Sequence, residues 1–177
     1  MSDIARTRQE ERRFGRDELI VSKTDLKGRI TYANDVFLRV SAYREEELLG
    51  QPHSIIRHPD MPRGVFHLLW ETLERGDEIF AYINNLAADG AYYWVLAHVT
   101  PTRDASGAVV GYHSNRRSPA PAAVARVEPL YARMRAAEAG HRRAVDAAAA
   151  SRAVLEDALE GQSYDELVWE LITGAAA

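Results

Sequence analysis

The sequence predicts an α+β fold: a five-stranded antiparallel sheet covered on one face by short helices. Three observations predict it: two short strand-like runs come first, helix-forming segments follow, and three longer strand-like runs close the domain. Strands grouped in this way, without regular alternation with helices, are typical of α+β proteins. The expected domain spans residues 19–117, between a charged N-terminal helix or segment at 1–18 and an Ala-rich helical extension at 120–177.

The first two strands form a predicted hairpin. Residues 19–22 are an apolar run, residues 24–28 (TDLKG) have the composition of a tight turn, and residues 29–32 (RITY) alternate with a period of two.

Helices are expected in the middle of the domain. Asn34 stands at the N-cap position of the first, and residues 41–50 form a second that opens with acidic residues and stops at glycine. The loop at 51–62 contains prolines that prevent regular helix. Residues 63–74 then place apolar side chains on one helical face, and Gly76 ends this helix.

The last part of the domain is a three-stranded meander. The strands are expected at 78–87, 91–102 and 108–116, separated by glycine-containing turns at 88–90 and 104–107.

The extension is predicted to be helical. Residues 120–159 favour one long helix with an intermittent apolar stripe, and Ser163 with Glu166 has the spacing of a capping box that opens a last short helix. Two interpretations stay open: the extension folds back on the domain, or it forms a surface for dimerisation or for docking a partner.

Composition restricts the class of protein. The chain has 177 residues with a formal net charge of -4, which disfavours nucleic acid as a partner. It has no cysteine, so disulfides, thiolate metal sites and cysteine redox chemistry are excluded. No apolar run approaches the roughly 20 residues that span a bilayer, and the charged N-terminus has no signal-peptide core. We therefore expect a cytoplasmic protein without a membrane anchor.

Several of these segments, in this order, resemble PAS domains. The resemblance lies in residues 28–34 (GRITYAN), 43–51 (YREEELLGQ), 89–95 (DGAYYWV) and 110–112 (VGY). Residues 50–62 (GQPHSIIRHPDMP) are more specific, because they resemble the flavin-binding PAS domain of bacterial aerotaxis receptors.

This resemblance implies a function. It implies a PAS fold that binds FAD, senses redox or oxygen status in energy taxis, and catalyses no reaction. Since no membrane anchor is found, the chain is similar to a stand-alone soluble form that signals to a separate methyl-accepting chemotaxis transducer. A homodimer is expected, without nucleic acid or direct membrane insertion.

Candidate cofactor contacts come first from the strands. Asn85 is in phase with the apolar residues of its strand, so its amide should point inward, where it could both donate to and accept from a flavin ring. The alternative is that Asn85 ends the strand and faces solvent. Tyr93 is expected to face inward too and to reach the ring.

Further candidates lie in the loop and the helices. Arg57 could contact a phosphate or the ring, and Asp60 could orient Arg57 or His58, or else cap the following helix. The remaining candidates each have a structural alternative. Trp70 shares an apolar helical face with Phe66 and could wall the flavin, as the resemblance favours for Trp70, or both could belong to the core. Asn34 could bind the adenine or ribose end or only cap its helix.

Two other functions stay open. Six histidines are available as haem ligands, which would make the protein a gas or haem-redox sensor. A cofactor-free interaction module is the second. A cysteinyl–flavin photoadduct is excluded because cysteine is absent, and no nicotinamide-binding glycine motif supports an enzyme.

Overall fold

The computed structural model describes residues 10–174. At its centre is a five-stranded sheet with the strand order β2-β1-β5-β4-β3, in which all neighbours are antiparallel. The strands are β1 (Ile20–Thr24), β2 (Ile30–Ala33), β3 (Ile79–Leu86), β4 (Tyr92–Arg103) and β5 (Val109–Arg117). The predicted α+β fold is therefore confirmed.

Helices lie between β2 and β3 and after β5. The first group comprises α1 (Asp35–Ser41), α2 (Glu45–Leu48), a 3-10 turn (His53–Ile56) and α3 (Arg63–Glu74). The second group comprises α4 (Pro121–Glu138), α5 (Ala144–Leu159) and α6 (Tyr164–Gly174). Within residues 10–174, no helix combines the length and the apolar character required to cross a bilayer.

Local chemistry explains the start of the domain. Gly28 has a positive φ of 73° in the β1–β2 turn, a conformation that favours glycine. Asn34 caps α1 as predicted, since its Oδ1 accepts a hydrogen bond from the backbone N–H of Phe37 at 3.0 Å.

The predicted helix at 41–50 is wrong in its first residues. Ser41 is the last residue of α1, and Ala42 follows in the left-handed conformation with φ of 56°, which ends that helix. Arg44 is extended, and its backbone N–H donates to the Glu47 side chain at 2.9 Å, so α2 begins only at Glu45.

The charged N-terminal segment is not helical where the structure describes it, and Arg16 and Asp17 form a turn. Residues 10–18 contain no helix, and the backbone N–H of Arg12 donates to the carbonyl of Tyr92 at 2.7 Å. Glu11 forms a parallel bridge with Tyr92. The helical alternative is therefore wrong for 10–18, because this segment instead pairs with the start of β4. Residues 1–9 lie outside the described part of the chain.

The extension folds back on the domain. The expected single helix at 120–159 is broken, because α4 ends at Glu138 and α5 begins at Ala144. Gly140, a poor helix former, lies in this break. The reversal lets α5 pack against α3, where the N–H of Gly64 donates to Ser151 Oγ at 3.2 Å.

Candidate functional site

A cavity of about 240 Å³ lies between the helices and the inward face of the sheet. Its walls are mostly apolar and come from α3 and from β3 and β4: Phe66, Leu69, Trp70, Leu73, Ile83, Ala97 and Val99. A few polar side chains converge on it: Ser22, His53, Arg57, Asn85, Tyr112, Ser114 and Arg116. An apolar slot with a small number of placed polar groups is typical of a cofactor pocket.

Asn85 lies on the inward face of β3, as its strand phase predicts. Only 4% of the residue is exposed, so the solvent-facing alternative is wrong. Across the described residues, its Nδ2 finds no hydrogen-bond partner. A buried amide without a partner is costly, and this one lines the cavity. A ligand carrying an acceptor at this position would remove the cost.

Arg116 is the most unusual polar group of the cavity. It is 2% exposed, and one guanidinium nitrogen donates to Ser22 Oγ. In the part of the chain that the structure describes, its Nε and Nη1 have no partner. Burial lowers the pKa of Arg116 to about 10, so it stays charged at neutral pH. A buried cation with free donors favours an anionic or strongly accepting ligand.

His53 adjoins this arginine. Its Nε2 lies 3.2 Å from Ser22 Oγ, and its ring is stacked on Phe37 with ring centroids 6.0 Å apart. Burial, with the nearby charge of Arg116, lowers the pKa of His53 to about 3. The imidazole is therefore neutral at physiological pH.

Two aromatic side chains of α3 form one wall. The guanidinium carbon of Arg57 lies 3.6 Å from the ring centroid of Phe66, and Arg57 also forms an antiparallel bridge with Asn85. Trp70 packs edge-to-face on Tyr112, with ring centroids 5.5 Å apart. The cavity thus brings together Arg57, Phe66 and Trp70 with Asn85, as predicted for a shared site.

His58 and Asp60 do not line the cavity. His58 is buried beside Tyr92, its pKa is lowered by burial, and its Nδ1 accepts from the N–H of Asp60 at 3.1 Å. Asp60 is exposed and forms an ion pair of 2.6 Å with Arg135 of α4. It does not cap α3 either, since Pro62 is the N-cap and makes no side-chain hydrogen bond.

Asn34 and Tyr93 also lie outside the cavity lining. Both polar atoms of the Asn34 side chain are hydrogen-bonded within the protein, because its Oδ1 also accepts from the N–H of Val21 at 3.0 Å and its Nδ2 donates to the carbonyl of Leu19 at 2.8 Å. Tyr93 is fully buried and lies opposite Asn85 in the sheet, and burial strongly raises the pKa of its hydroxyl.

Sequence reasoning missed Arg116. A signal was present, because Tyr112, Ser114 and Arg116 share one phase of β5 and all line the cavity. An arginine is rarely buried without a carboxylate, so a surface position is the usual expectation for this residue type. His53 was considered only as one of several haem ligands.

Comparisons with known proteins agree on the fold. The PAS fold family matches residues 30–116. The chain is 41% identical over 127 residues to the aerotaxis receptor of Escherichia coli (strain K12). This match covers 71% of this chain and 25% of the receptor. It is 31% identical over 97 residues to a nitrogen fixation regulatory protein of Klebsiella pneumoniae, covering 55% of this chain and 20% of that protein. The chain thus spans a quarter or less of these relatives.

Solved structures of other proteins match the same fold. A light-oxygen-voltage domain studied with a flavin analogue matches with a TM-score of 0.50 and 26% identity, over 55% of this chain and 73% of that one. The light-state structure of the Aureochrome1 LOV blue-light photoreceptor matches with a TM-score of 0.54 and 23% identity, over 64% of this chain and 88% of that one.

Proposed function

The chain belongs to the PAS fold family, and on that premise we propose that it is a cytoplasmic redox sensor that binds FAD in the cavity and signals to a separate partner. The observation that carries the proposal is the set of buried, unpartnered polar atoms around an apolar slot. Asn85 Nδ2 and the Nε and Nη1 of Arg116 lie against this cavity without a partner among the described residues.

These groups fit a flavin. An isoalloxazine ring is planar, apolar on its faces and rich in acceptors along one edge. Phe66 and Trp70 offer aromatic walls, and Asn85 and Arg116 offer donors. The similarity to an aerotaxis receptor and to a domain studied with a flavin analogue supports a flavin as the ligand class.

The choice of FAD depends on the loop and on the cavity mouth. Residues 50–62 resemble the aerotaxis loop. The cavity lining includes the exposed Lys27 and Ser54 and the half-buried Arg57. Cations at an opening suit a pyrophosphate, and the adenosine would extend outward.

The residues could respond to redox state as follows. A bound flavin supplies a ring whose charge and protonation change on reduction. Arg116 would favour added negative charge nearby, and the Asn85 amide can exchange donor for acceptor by rotating. Because the backbone of Asn85 is bridged to Arg57, a change at Asn85 would be felt in the loop that leads to α3.

The proposal is of a sensor and not of an enzyme. Ser22 and His53 are close enough to resemble a nucleophile and a base, at 3.2 Å. However, a pKa of about 3 makes His53 a poor general base at neutral pH.

The output belongs to the proposal as well. We assign sensing to residues 19–117 and signalling to the extension at 120–177. Similarity to an aerotaxis receptor supports a methyl-accepting chemotaxis transducer as the partner. We propose that this chain acts as a homodimer.

The test is the visible spectrum of freshly purified protein, before and after dithionite. We expect a two-banded yellow spectrum that bleaches on reduction, and release of FAD rather than FMN on denaturation. Protein that remains colourless after incubation with FAD would contradict the proposal and favour a cofactor-free interaction module.

Haem is the second candidate, because one histidine lines the cavity. His53 is neutral, as an axial ligand must be, but its Nε2 is already 3.2 Å from Ser22 Oγ. A sharp Soret band that is lost in His53→Ala would favour haem over flavin.

A further inference from the structure

A groove lies on the opposite face of β3 from the cavity, between this strand and α6. Phe80 lines it, and because Phe80 alternates with the inward residues Ile79 and Ala81, it faces away from the cavity. We call this surface the α6 groove. Its lining is Glu78, Phe80, Gln162, Asp165, Glu166, Val168, Trp169, Glu170 and Ile172.

The groove exposes a large apolar side chain that does not hold α6 to the domain. Helix α6 is held to the domain by its buried residues Tyr164, Val168 and Leu171. Trp169 lies on another side of α6 and is 65% exposed. Phe80 supports the floor, since its ring stacks on His98 with centroids 4.1 Å apart. Exposed tryptophan over an apolar surface is typical of binding hot spots.

The rim of the groove is acidic. It carries Glu78 from β3 and Asp165, Glu166 and Glu170 from α6, and no lysine or arginine is among its described lining residues. Burial and the nearby charge of Glu78 raise the pKa of Asp165. Like charges gathered around an apolar floor favour an occupant that brings positive charge.

We propose that the α6 groove docks a basic amphipathic segment of a partner protein. Its apolar side chains would cover Phe80, Trp169 and Ile172, and its lysines or arginines would face the acidic rim. The same carboxylates would repel nucleic acid and anionic membrane, so a protein segment is the occupant that fits. The inference extends the proposed function by giving the partner a surface, and it does not depend on which cofactor the cavity holds.

The test is calorimetric titration of the full chain with a short amphipathic peptide built of Leu and Lys. The same peptide with Glu in place of Lys is the ligand control. We expect the Lys peptide to bind, more weakly at high salt, and the Glu peptide not to bind. Trp169→Ala and Glu170→Lys should each weaken binding about tenfold or more.

Two control variants separate a site from general charge attraction. Glu46→Lys makes the same charge change on α2, where Glu46 is exposed, and Val145→Ala removes an exposed apolar side chain on α5. Both should bind the Lys peptide within about twofold of the unmodified chain.

Three results would overturn the inference. These are no binding of the Lys peptide, equal weakening by Glu46→Lys and Glu170→Lys, or concentration-dependent self-association that Trp169→Ala abolishes. The last would assign the groove to a second copy of the chain. Because the readout is peptide binding, a missing flavin would leave this inference standing, and a bound flavin would not rescue it.

Discussion

Arg116 places a full positive charge in the wall of the cavity, where the residue is only 2% exposed. Its contacts within the described residues are Ser22 Oγ and the ring of Phe37, 4.5 Å from the guanidinium carbon. Neither carries a negative charge, so the desolvation of the guanidinium is poorly compensated. The Arg116 side chain should therefore lower the free energy of unfolding of the ligand-free protein. An accepting ligand that binds to it should offset this loss.

The opposite effects of Arg116 on stability, without and with a bound ligand, lead to a prediction. We expect Arg116→Met to raise the free energy of unfolding of the flavin-free chain by about 1–3 kcal/mol, since a buried unpaired charge is replaced by an apolar side chain. The same variant should retain less flavin through purification. Urea denaturation and the ratio of flavin to protein measure the two effects. A variant that is both less stable and equally flavinated would contradict a ligand-binding role for Arg116.

His53 gives a prediction for pH. Its pKa in the folded chain is about 3, against an ordinary value of 6.5. Below pH 6.5 the unfolded chain therefore binds a proton that the folded chain does not, and the free energy of unfolding falls as the pH falls. The slope is about 1.4 kcal/mol per pH unit. Between pH 7 and pH 5.5, His53→Asn should lose about 1 kcal/mol less than the unmodified flavin-free chain.

Other titratable groups do not obscure the effect of His53 between about pH 5.5 and pH 7. The carboxylates with lowered pKa values, such as Glu47 and Asp89, lose their contribution only below their ordinary values of 4.5 and 3.8. His58 titrates in the same direction but is present in both proteins. The matched control is His141→Asn, which makes the same substitution at an exposed position after α4. Identical profiles for His53→Asn and the unmodified chain would show that His53 is not desolvated.

Asn84 and Asn85 allow a matched test of the cavity. Both are buried, but their side chains lie on opposite faces of β3, and only Asn85 lines the cavity. We expect Asn85→Ala to lose most of the bound flavin and Asn84→Ala to keep it. The flavin-to-protein ratio after gel filtration measures both. Equal retention by the two variants would remove Asn85 from the site.

Individual residues show how much of the candidate site could be predicted from the sequence. Asn85 could be placed inward because strand phase has a period of two and its neighbours are apolar. Asp60 could not be assigned, because its partner Arg135 comes from a helix that only tertiary folding brings near. Arg116 was missed because two sequence signals conflict: strand phase places it inward, but its charge predicts an exposed position.

At the scale of elements, α3 depends on the extension for its N-terminus. Pro62 supplies no side-chain cap. The first N–H groups instead donate to other helices: that of Arg63 to Glu138 Oε1 at 2.6 Å, and that of Gly64 to Ser151 Oγ at 3.2 Å. Free N–H groups at a helix start need such acceptors. The helix that walls the cavity is therefore completed by α4 and α5.

The close approach at Gly64 gives a prediction. A Cβ there would lie 2.7 Å from Ser151 Oγ and 2.8 Å from the backbone nitrogen of Arg152, so α3 and α5 would have to separate. We expect Gly64→Ala to lower the free energy of unfolding by about 1–3 kcal/mol. Gly140→Ala is the control, because nothing lies within 4 Å of its Cβ position. Urea denaturation that finds the two variants equal would contradict the packing of α5 on α3.

Element boundaries were the less predictable part of the fold. The strands of the meander were predicted to within one residue at each end, since turns with glycine delimit them. The break between α4 and α5 was not predicted, because Gly140 alone is a weak helix-stop signal and α5 has no side-chain N-cap. What fixes the break is the tertiary contact of α5 with α3.

At the scale of the whole molecule, the extension covers the exposed edge of the sheet. β3 is an edge strand, and its outward carbonyls are met by other elements. Tyr131 of α4 donates to the carbonyl of Tyr82 at 2.8 Å, and the N–H of His58 donates to that of Asn84 at 3.4 Å. Covered edges resist unwanted strand pairing. The loop after Arg57 and helix α4 thus meet on the strand that carries Asn85.

This arrangement predicts where a redox change should be detected. Asp60 pairs with Arg135, and the start of α3 donates to Glu138 and Ser151. If flavin reduction displaces Asn85, we expect altered hydrogen exchange in residues 57–66 and in the facing turns of α4 and α5. Exchange mass spectrometry of oxidised and dithionite-reduced protein measures this.

A double substitution separates transmission from sensing. Arg135→Ala with Glu138→Ala removes two side chains that join α4 to the loop and to α3, while leaving the cavity lining intact. We expect the redox-dependent exchange to persist in residues 57–66 and to weaken in the last turns of α4. Helix α5 should keep its change, because the N–H of Gly64 still donates to Ser151. Arg142→Ala, on the exposed turn after α4, should preserve the change in all three. A redox change of unaltered size in the last turns of α4 of the double variant would contradict transmission through these contacts. It would favour the N-terminal segment, which pairs with Tyr92, next to the strand partner of Asn85.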